Sequence, residues 1–184
     1  MTSFGPREDA LATLDRWRPI APSQEPLRQG FLGFLGARPD SCARSCAPGH
    51  VTASAVVFDA AAERILLTLH PRVGRWLQLG GNCEADDETL AGAALREATE
   101  ESGIPGLRMD PEPLHLDVHP VTCSLGVPTR HFDVRFLLRA PVAAEPVRSE
   151  ESIDLQWWPI SQLPGAEPSD LDELITAALV RTGR

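Results

Sequence analysis

The stretch from Gly80 to Ile104, GGNCEADDETLAGAALREATEESGI, constrains this chain more than any other. Two adjacent glycines lead into a run that ends in Arg96-Glu97-Ala98-Thr99-Glu100-Glu101-Ser102-Gly103-Ile104. On a helix, Glu97, Glu100 and Glu101 stand at i, i+3 and i+4, so the three carboxylates share one face. Such a cluster repels itself and resists full ionisation unless a cation neutralises it. Hard carboxylate oxygens suit Mg²⁺ or Mn²⁺, ions that typically also bind substrate phosphates. The opposite face, Ala91, Ala94, Leu95 and Ala98, is a narrow stripe of small residues suited to close packing on a sheet. A merely solvated face would be better served by mixing in basic residues, because like charges at i, i+4 destabilise a helix. The pattern reads as a divalent-metal site for phosphate chemistry.

Around that helix the chain alternates strands and turns. Residues 7–18 carry Leu11 and Leu14 on one side and stop before Pro19, which predicts a short helix. Residues 25–35 predict a second helix, weakened by Gly30 and Gly33. The Pro, Gly and Ser content of residues 36–49 reads as a loop, so residues 1–48 form an N-terminal helical extension packed on the main domain or on a partner subunit. VTASAVVFD and RILLTLH, joined by a turn at residues 60–63, predict a β-hairpin. Residues 76–79 predict a short strand that delivers Gly80-Gly81, and the acidic helix runs from Thr89 to Glu101 with Gly103 as its terminator. Residues 113–121 and 131–138 alternate polar and apolar side chains, and residues 153–158 make another strand. Residues 168–181 close the chain as an amphipathic helix.

Net charge is −9, and all 17 basic residues are arginine. An acidic chain does not hold nucleic-acid backbones by bulk electrostatics, which disfavours a nucleic-acid partner. A phosphate substrate remains compatible, because a bound cation reverses the local charge. No apolar run reaches the ~18 residues of a membrane span, and no basic-then-apolar leader opens the chain. The expectation is a cytoplasmic protein without a membrane partner, with a homodimer as an open option. Cys42, Cys46, Cys83 and Cys123 are too few and too scattered for a disulfide scaffold, so reduced thiols are expected. Cys42-x3-Cys46-x3-His50 does not have the spacing of a zinc finger.

The same residues resemble the Nudix box, G-x5-E-x7-R-E-U-x-E-E-x-G-U with U a bulky apolar residue. Seven residues separate Glu88 from Arg96, as in the family. Six rather than five separate Gly81 from Glu88, so the loop carries one extra residue, and Ala98 is smaller than the usual apolar residue. The resemblance implies an α/β fold of the α+β mixed kind, a Nudix-type α/β/α sandwich with a mixed β-sheet between helices, over residues 49–184. It implies Mg²⁺ or Mn²⁺ held by Glu97, Glu100 and Glu101, with the carbonyl of Gly81 nearby. Arg96 is implied to be structural, holding the loop by pairing with acids such as Glu88. The implied reaction is attack of water on phosphorus in a small-molecule nucleotide substrate, a nucleoside diphosphate linked to another group.

In many relatives the general base lies on a later loop. The pair Glu150-Glu151 is the one later acidic pair in a plausible loop position, and Glu151 is preferred for its closeness to the following strand. Arg72 and Arg75 precede the glycines and are candidate phosphate contacts. His131 and Asp133 share one strand face and point together either to the site or to solvent, with His131 the candidate substrate contact. Trp76, Phe132, Trp157 and Trp158 read first as core aromatics and second as a stacking surface. Pro120, sixteen residues after Ile104, resembles the marker of ADP-ribose hydrolases, so an ADP-ribose-like or nucleotide-sugar substrate is one expectation. Two other readings stand beside hydrolysis: a catalytically silent nucleotide-sensing module of the same fold, and an enzyme like isopentenyl-diphosphate isomerase.

Overall fold

The computed structural model describes residues 5–122, 126–150, 152–165 and 170–184. The elements run α1 (Pro6–Arg16), α2 (Gln24–Ala37), β1 (His50–Phe58), β2 (Arg64–Leu69), β3 (Trp76–Leu77), β4 (Leu79–Asn82), α3 (Leu90–Ser102), β5 (Arg108–Thr122), β6 (Pro128–Arg139), β7 (Asp154–Pro159) and α4 (Asp170–Arg181). Among the described residues they build one mixed seven-stranded sheet in the order β3-β2-β1-β6-β5, with β4 also on β1 and β7 also on β2. The β1–β6 pair is parallel and the others are antiparallel.

Alternation along the strands sends side chains to two cores. Val51, Ala53, Ala55 and Val57 of β1 join Val134, Phe136 and Leu138 of β6 beneath α1, α2 and α3. Val56, Phe58, Ile65, Leu67 and Leu137 face the other way and meet Leu171, Leu174 and Ile175 of α4. Every residue of β1 is buried, as befits a strand covered on both faces. The result is the helix–sheet–helix sandwich expected of the sequence.

Two local details differ from expectation. In α3 the buried stripe is Leu90, Ala93, Ala94 and Ala98, whereas Ala91 and Leu95 are only half-buried. Strand β5 begins at Arg108, earlier than its alternation suggested, with a register shift between Asp110 and His115. Pro111, Pro113 and Pro120 donate no hydrogen bond, and the edge position of β5 is where a sheet tolerates them.

The N-terminal helices pack on the α3 side of the sheet. Ala10, Leu14, Phe31 and Leu35 are fully buried in the same core as the acidic helix. Phe34 stacks on Phe132 at 4.2 Å between ring centroids, and Phe31 meets it edge-on at 5.2 Å. Asp9 accepts a hydrogen bond from the Leu90 backbone N–H at 2.8 Å. That places a carboxylate at the positive end of α3, where Thr89 also caps the Gly92 N–H at 2.9 Å.

Candidate active site

Strand β4 lays the glycine pair along the centre of the sheet, with Gly80 opposite Ser54 and Gly81 opposite Ala53. Gly80 has φ +151, and a Cβ there would collide with Ser54. A Cβ on Gly81 would stand 2.6 Å from the carboxylate of Glu97. Glu101, 8% exposed, accepts the Gly80 N–H at 3.0 Å. Glu97 and Glu101 therefore close on the glycine pair from successive turns of α3. Glu100 differs: its side chain is exposed at the rim, 3.2 Å from Arg96 Nη1. Gly103, with φ 64, ends the helix as the sequence predicts.

Arg96 organises the loop, but not through the acid expected. Its Nε and Nη2 reach Asp87 at 3.1 and 2.9 Å, and Nη2 also donates to the Asn82 carbonyl at 3.1 Å. Glu88 is exposed, so the Arg96–Glu88 pairing is corrected to Arg96–Asp87. Burial works to raise the Asp87 carboxyl, yet the Arg96 guanidinium and the Glu84 N–H outweigh it and hold it below its ordinary range. The sequence held the clue: five residues separate Gly81 from Asp87, so the extra residue falls between the acid and Arg96. Arg96 Nη1 lies 3.0 Å from Glu97, so one cation bridges the loop and two of the glutamates.

A second polar assembly lies on the α4 side of the sheet. Asp133, 3% exposed, accepts from Thr52 at 3.0 Å, Ser54 at 2.7 Å and Arg135 Nε at 3.0 Å. Gln78, two residues before Gly80, reaches the same carboxylate at 3.3 Å. Arg135 continues to Asp117 at 3.0 Å, and Asp117 lies 2.6 Å from His119 Nδ1. The His131 ring packs between His50 and His119, with centroids 4.8 and 5.4 Å away. Burial, reinforced by the neighbouring histidines, depresses the His131 pKa to about 4, so this ring is neutral near pH 7. Hydrogen bonding to Asp117 raises that of His119. Sequence alternation put His131 and Asp133 on one face; the structure turns that face inward, beside the start of β1 where Asn82 is paired. What the sequence could not show is that Thr52, Ser54 and Gln78 reach Asp133: register brings the first two from β1 and the link between β3 and β4 brings the third, whereas Arg135 shares the face by simple alternation along β6.

The sole asparagine, Asn82, sits 2.9 Å from His50 Nε2, and with its amide nitrogen donating there its oxygen accepts from Arg44 at 2.9 Å. Arg72 and Arg75 are exposed on the turn between β2 and β3. Glu151 lies outside the described residues. Trp76 and Trp158 meet edge-on at 5.2 Å on the α4-side core, and Phe132 belongs to the other core, in keeping with their reading as core aromatics. His50 turns to Asn82 rather than to Cys42 and Cys46. Among the described residues no three His, Cys, Asp or Glu side chains are gathered tightly enough to hold a metal ion, so Glu97, Glu100 and Glu101 share a helix face without converging on one point.

The family model for the NUDIX domain matches residues 48–178. The chain belongs to the Nudix family. That membership places it among the pyrophosphohydrolases. Solved structures with the same fold include a Nudix-family hydrolase from Clostridium perfringens, 22% identical, covering 70% of this chain and 93% of that one with a TM-score of 0.55. A MutT protein from Methanosarcina mazei Go1 is 19% identical over 76% of this chain and 98% of its own, with a TM-score of 0.55. An Ap4A hydrolase from C. elegans is 18% identical over 72% and 97%, again with a TM-score of 0.55. At these identities the likeness establishes the fold. A search of curated protein sequences finds no match.

Proposed function

We propose that this chain is a divalent-metal-dependent hydrolase that cleaves the pyrophosphate bond of a nucleoside diphosphate linked to a second group. The observation that carries the reading is the closure of Glu97 and Glu101 on Gly80-Gly81, with Glu100 at the rim and Arg96 bridging loop and helix. The donor set fits a hard cation: carboxylate oxygens on successive turns, beside a backbone kept open by two glycines. Glu97, Glu100 and Glu101 are the residues that would hold Mg²⁺ or Mn²⁺, with the Gly81 carbonyl as a further oxygen. Such an ion spreads the charge of the pyrophosphate oxygens and acidifies an attacking water.

The chain's own residues supply position. Arg96, clamped by Asp87, fixes the helix against the loop, so a diphosphate beside Gly81 meets oriented groups rather than mobile ones. Glu97 and Glu100 are paired with Arg96, and with Glu101 they are the carboxylates that would hold the ion. Arg72 and Arg75 supply positive charge on the turn before β3 for the distal phosphates. Neutral His131, on the sheet face that also carries Gln78 and Asn82, offers a ring surface and a hydrogen-bonding nitrogen to the remainder of the substrate. Glu151 is the proposed base. ADP-ribose-like compounds and nucleotide sugars are the first substrates to try. The alternative, a binding module without turnover, draws on the same exposed Glu100 and on the glutamates' present attachment to Arg96.

A panel of nucleoside diphosphate derivatives with Mg²⁺ separates the two readings. Hydrolysis should release a nucleoside monophosphate and fall by more than about a hundred-fold in Glu101→Gln, since metal-borne stabilisation is worth several kcal/mol. Tight binding across the panel with no product from the unaltered protein would sink the hydrolase reading in favour of the sensing one.

A further inference from the structure

Cys42 and Cys83 are remote in sequence and adjacent in space. The Ser41 carbonyl accepts the Val51 N–H at 2.8 Å, which lays residue 41 against the start of β1. The next residue of β1, Thr52, is paired with Asn82 across β4. Arg44 closes the same junction by donating to Asn82 at 2.9 Å. Cys42 and Cys83 fall inside this seam, both half-buried against the α3-side core and both free thiols. Carrying the β1–β4 register one residue further sets Cys83 against Val51, the residue bonded to Ser41, and both cysteine side chains pack on the same core as Val51. Cys46, by contrast, is buried and placed otherwise.

We infer that Cys42 and Cys83 form a thiol-pair oxidation site, which a hydroperoxide converts to a disulfide that staples the N-terminal segment to the loop following Gly81. The partial exposure of both residues gives a small oxidant access, and their shared seam keeps the two segments that carry them side by side. The Cys42 sulfur attacks one peroxide oxygen, the O–O bond breaks, and the thiol proton leaves with the departing oxygen as water. The Cys42 sulfenic acid so formed is attacked by the Cys83 sulfur. The S–O bond breaks and a second water leaves, carrying the Cys83 proton. Two thiols are oxidised and one hydroperoxide is reduced to two waters (for an alkyl peroxide, to one water and one alcohol). A small dithiol reverses the change by exchange.

The site bears on the hydrolytic centre by position. Cys83 directly follows Asn82, whose carbonyl accepts from Arg96, and precedes Glu84, whose N–H donates to Asp87 at 2.7 Å. A bond from Cys83 to the segment carrying Cys42 would therefore fix the loop that anchors Arg96.

The test treats the full chain with one equivalent of hydrogen peroxide, alkylates the remaining thiols, and maps the peptides before and after dithiothreitol. The expected result is a Cys42–Cys83 cross-linked peptide, loss of two of the four alkylatable thiols, and full recovery on reduction. Cys46→Ser should leave the cross-link intact, and Cys42→Ser should abolish it while Cys83 remains alkylatable. Four unreacted thiols in the wild type, or bridges from Cys42 or Cys83 to Cys46, to Cys123 or to a second chain in place of this one, would overturn the assignment.

Discussion

The two acidic assemblies flanking the sheet's centre solve the same problem in opposite ways. On the α3 side, Glu97, Glu100 and Glu101 come from one short helix; Arg96, their neighbour in sequence, pairs with Glu97 and Glu100, while Glu101 accepts the Gly80 N–H. On the α4 side, Asp133 is satisfied by Thr52 and Ser54, which strand register aligns with it, and by Arg135 two residues on in its own strand. The first assembly leaves the Glu100 carboxylate at the surface and shares one cation among Asp87, Glu97 and Glu100. The second is sealed, and buried charges tolerate that only when fully paired. Under the proposed function, the contrast separates a working surface from the scaffold beneath it.

The largest expected effect on stability is therefore on the sealed side. Asp133→Ala removes the more deeply buried of the two carboxylates paired with Arg135, which is 1% exposed, and should cost about 3–5 kcal/mol in denaturant unfolding. A loss within the noise of a surface substitution would erase the distinction. On the working side the sharper expectation concerns which acid anchors Arg96. Asp87→Asn should reduce turnover roughly 10–100-fold, the usual consequence of losing a group that orients a metal ligand, with little change in folding. Glu88→Gln, at an exposed position, should change turnover by less than about two-fold. The reverse order would restore the pairing read from the spacing to Arg96 alone.

A smaller effect lies in the pH dependence of stability. His131 has its folded pKa depressed from 6.5 to about 4, chiefly by burial. The unfolded chain thus binds the extra proton more readily, so stability is full above about 6.5 and declines as pH falls toward about 4. His119 is raised by Asp117 and acts with the opposite sign, losing its contribution as pH rises through its folded pKa. His131→Gln should flatten the acid-side slope and leave the His119 contribution; an unaltered slope would show that the His131 ring is not held neutral.

How much of this was legible in the chain follows from the same division. The glycine pair, the helix and its three glutamates are contiguous, and local spacing on a helix is enough to place them on one face. Arg96's partner was misread because an inserted residue can be counted from either end; the glycine fixes the loop, so the count from Gly81 to Asp87 was the physical one. Thr52 and Ser54 meet Asp133 through the parallel β1–β6 pairing, and no local pattern reports which strands will be neighbours. The early start of β5 was hidden by Pro111 and Pro113, which usually end strands but are tolerated at an edge. The contact of Asp9 with the first turn of α3 was invisible for the same reason as the Asp133 network: it joins segments far apart in the chain.

The most direct test of the central claim is Mn²⁺ binding in the absence of nucleotide, followed by the loss of the free-ion electron paramagnetic resonance signal. The account predicts that the wild type sequesters the ion, that Glu97→Gln and Glu101→Gln weaken its hold at least about ten-fold, and that Glu88→Gln binds as the wild type does. Equal Mn²⁺ affinity in all four proteins would contradict it.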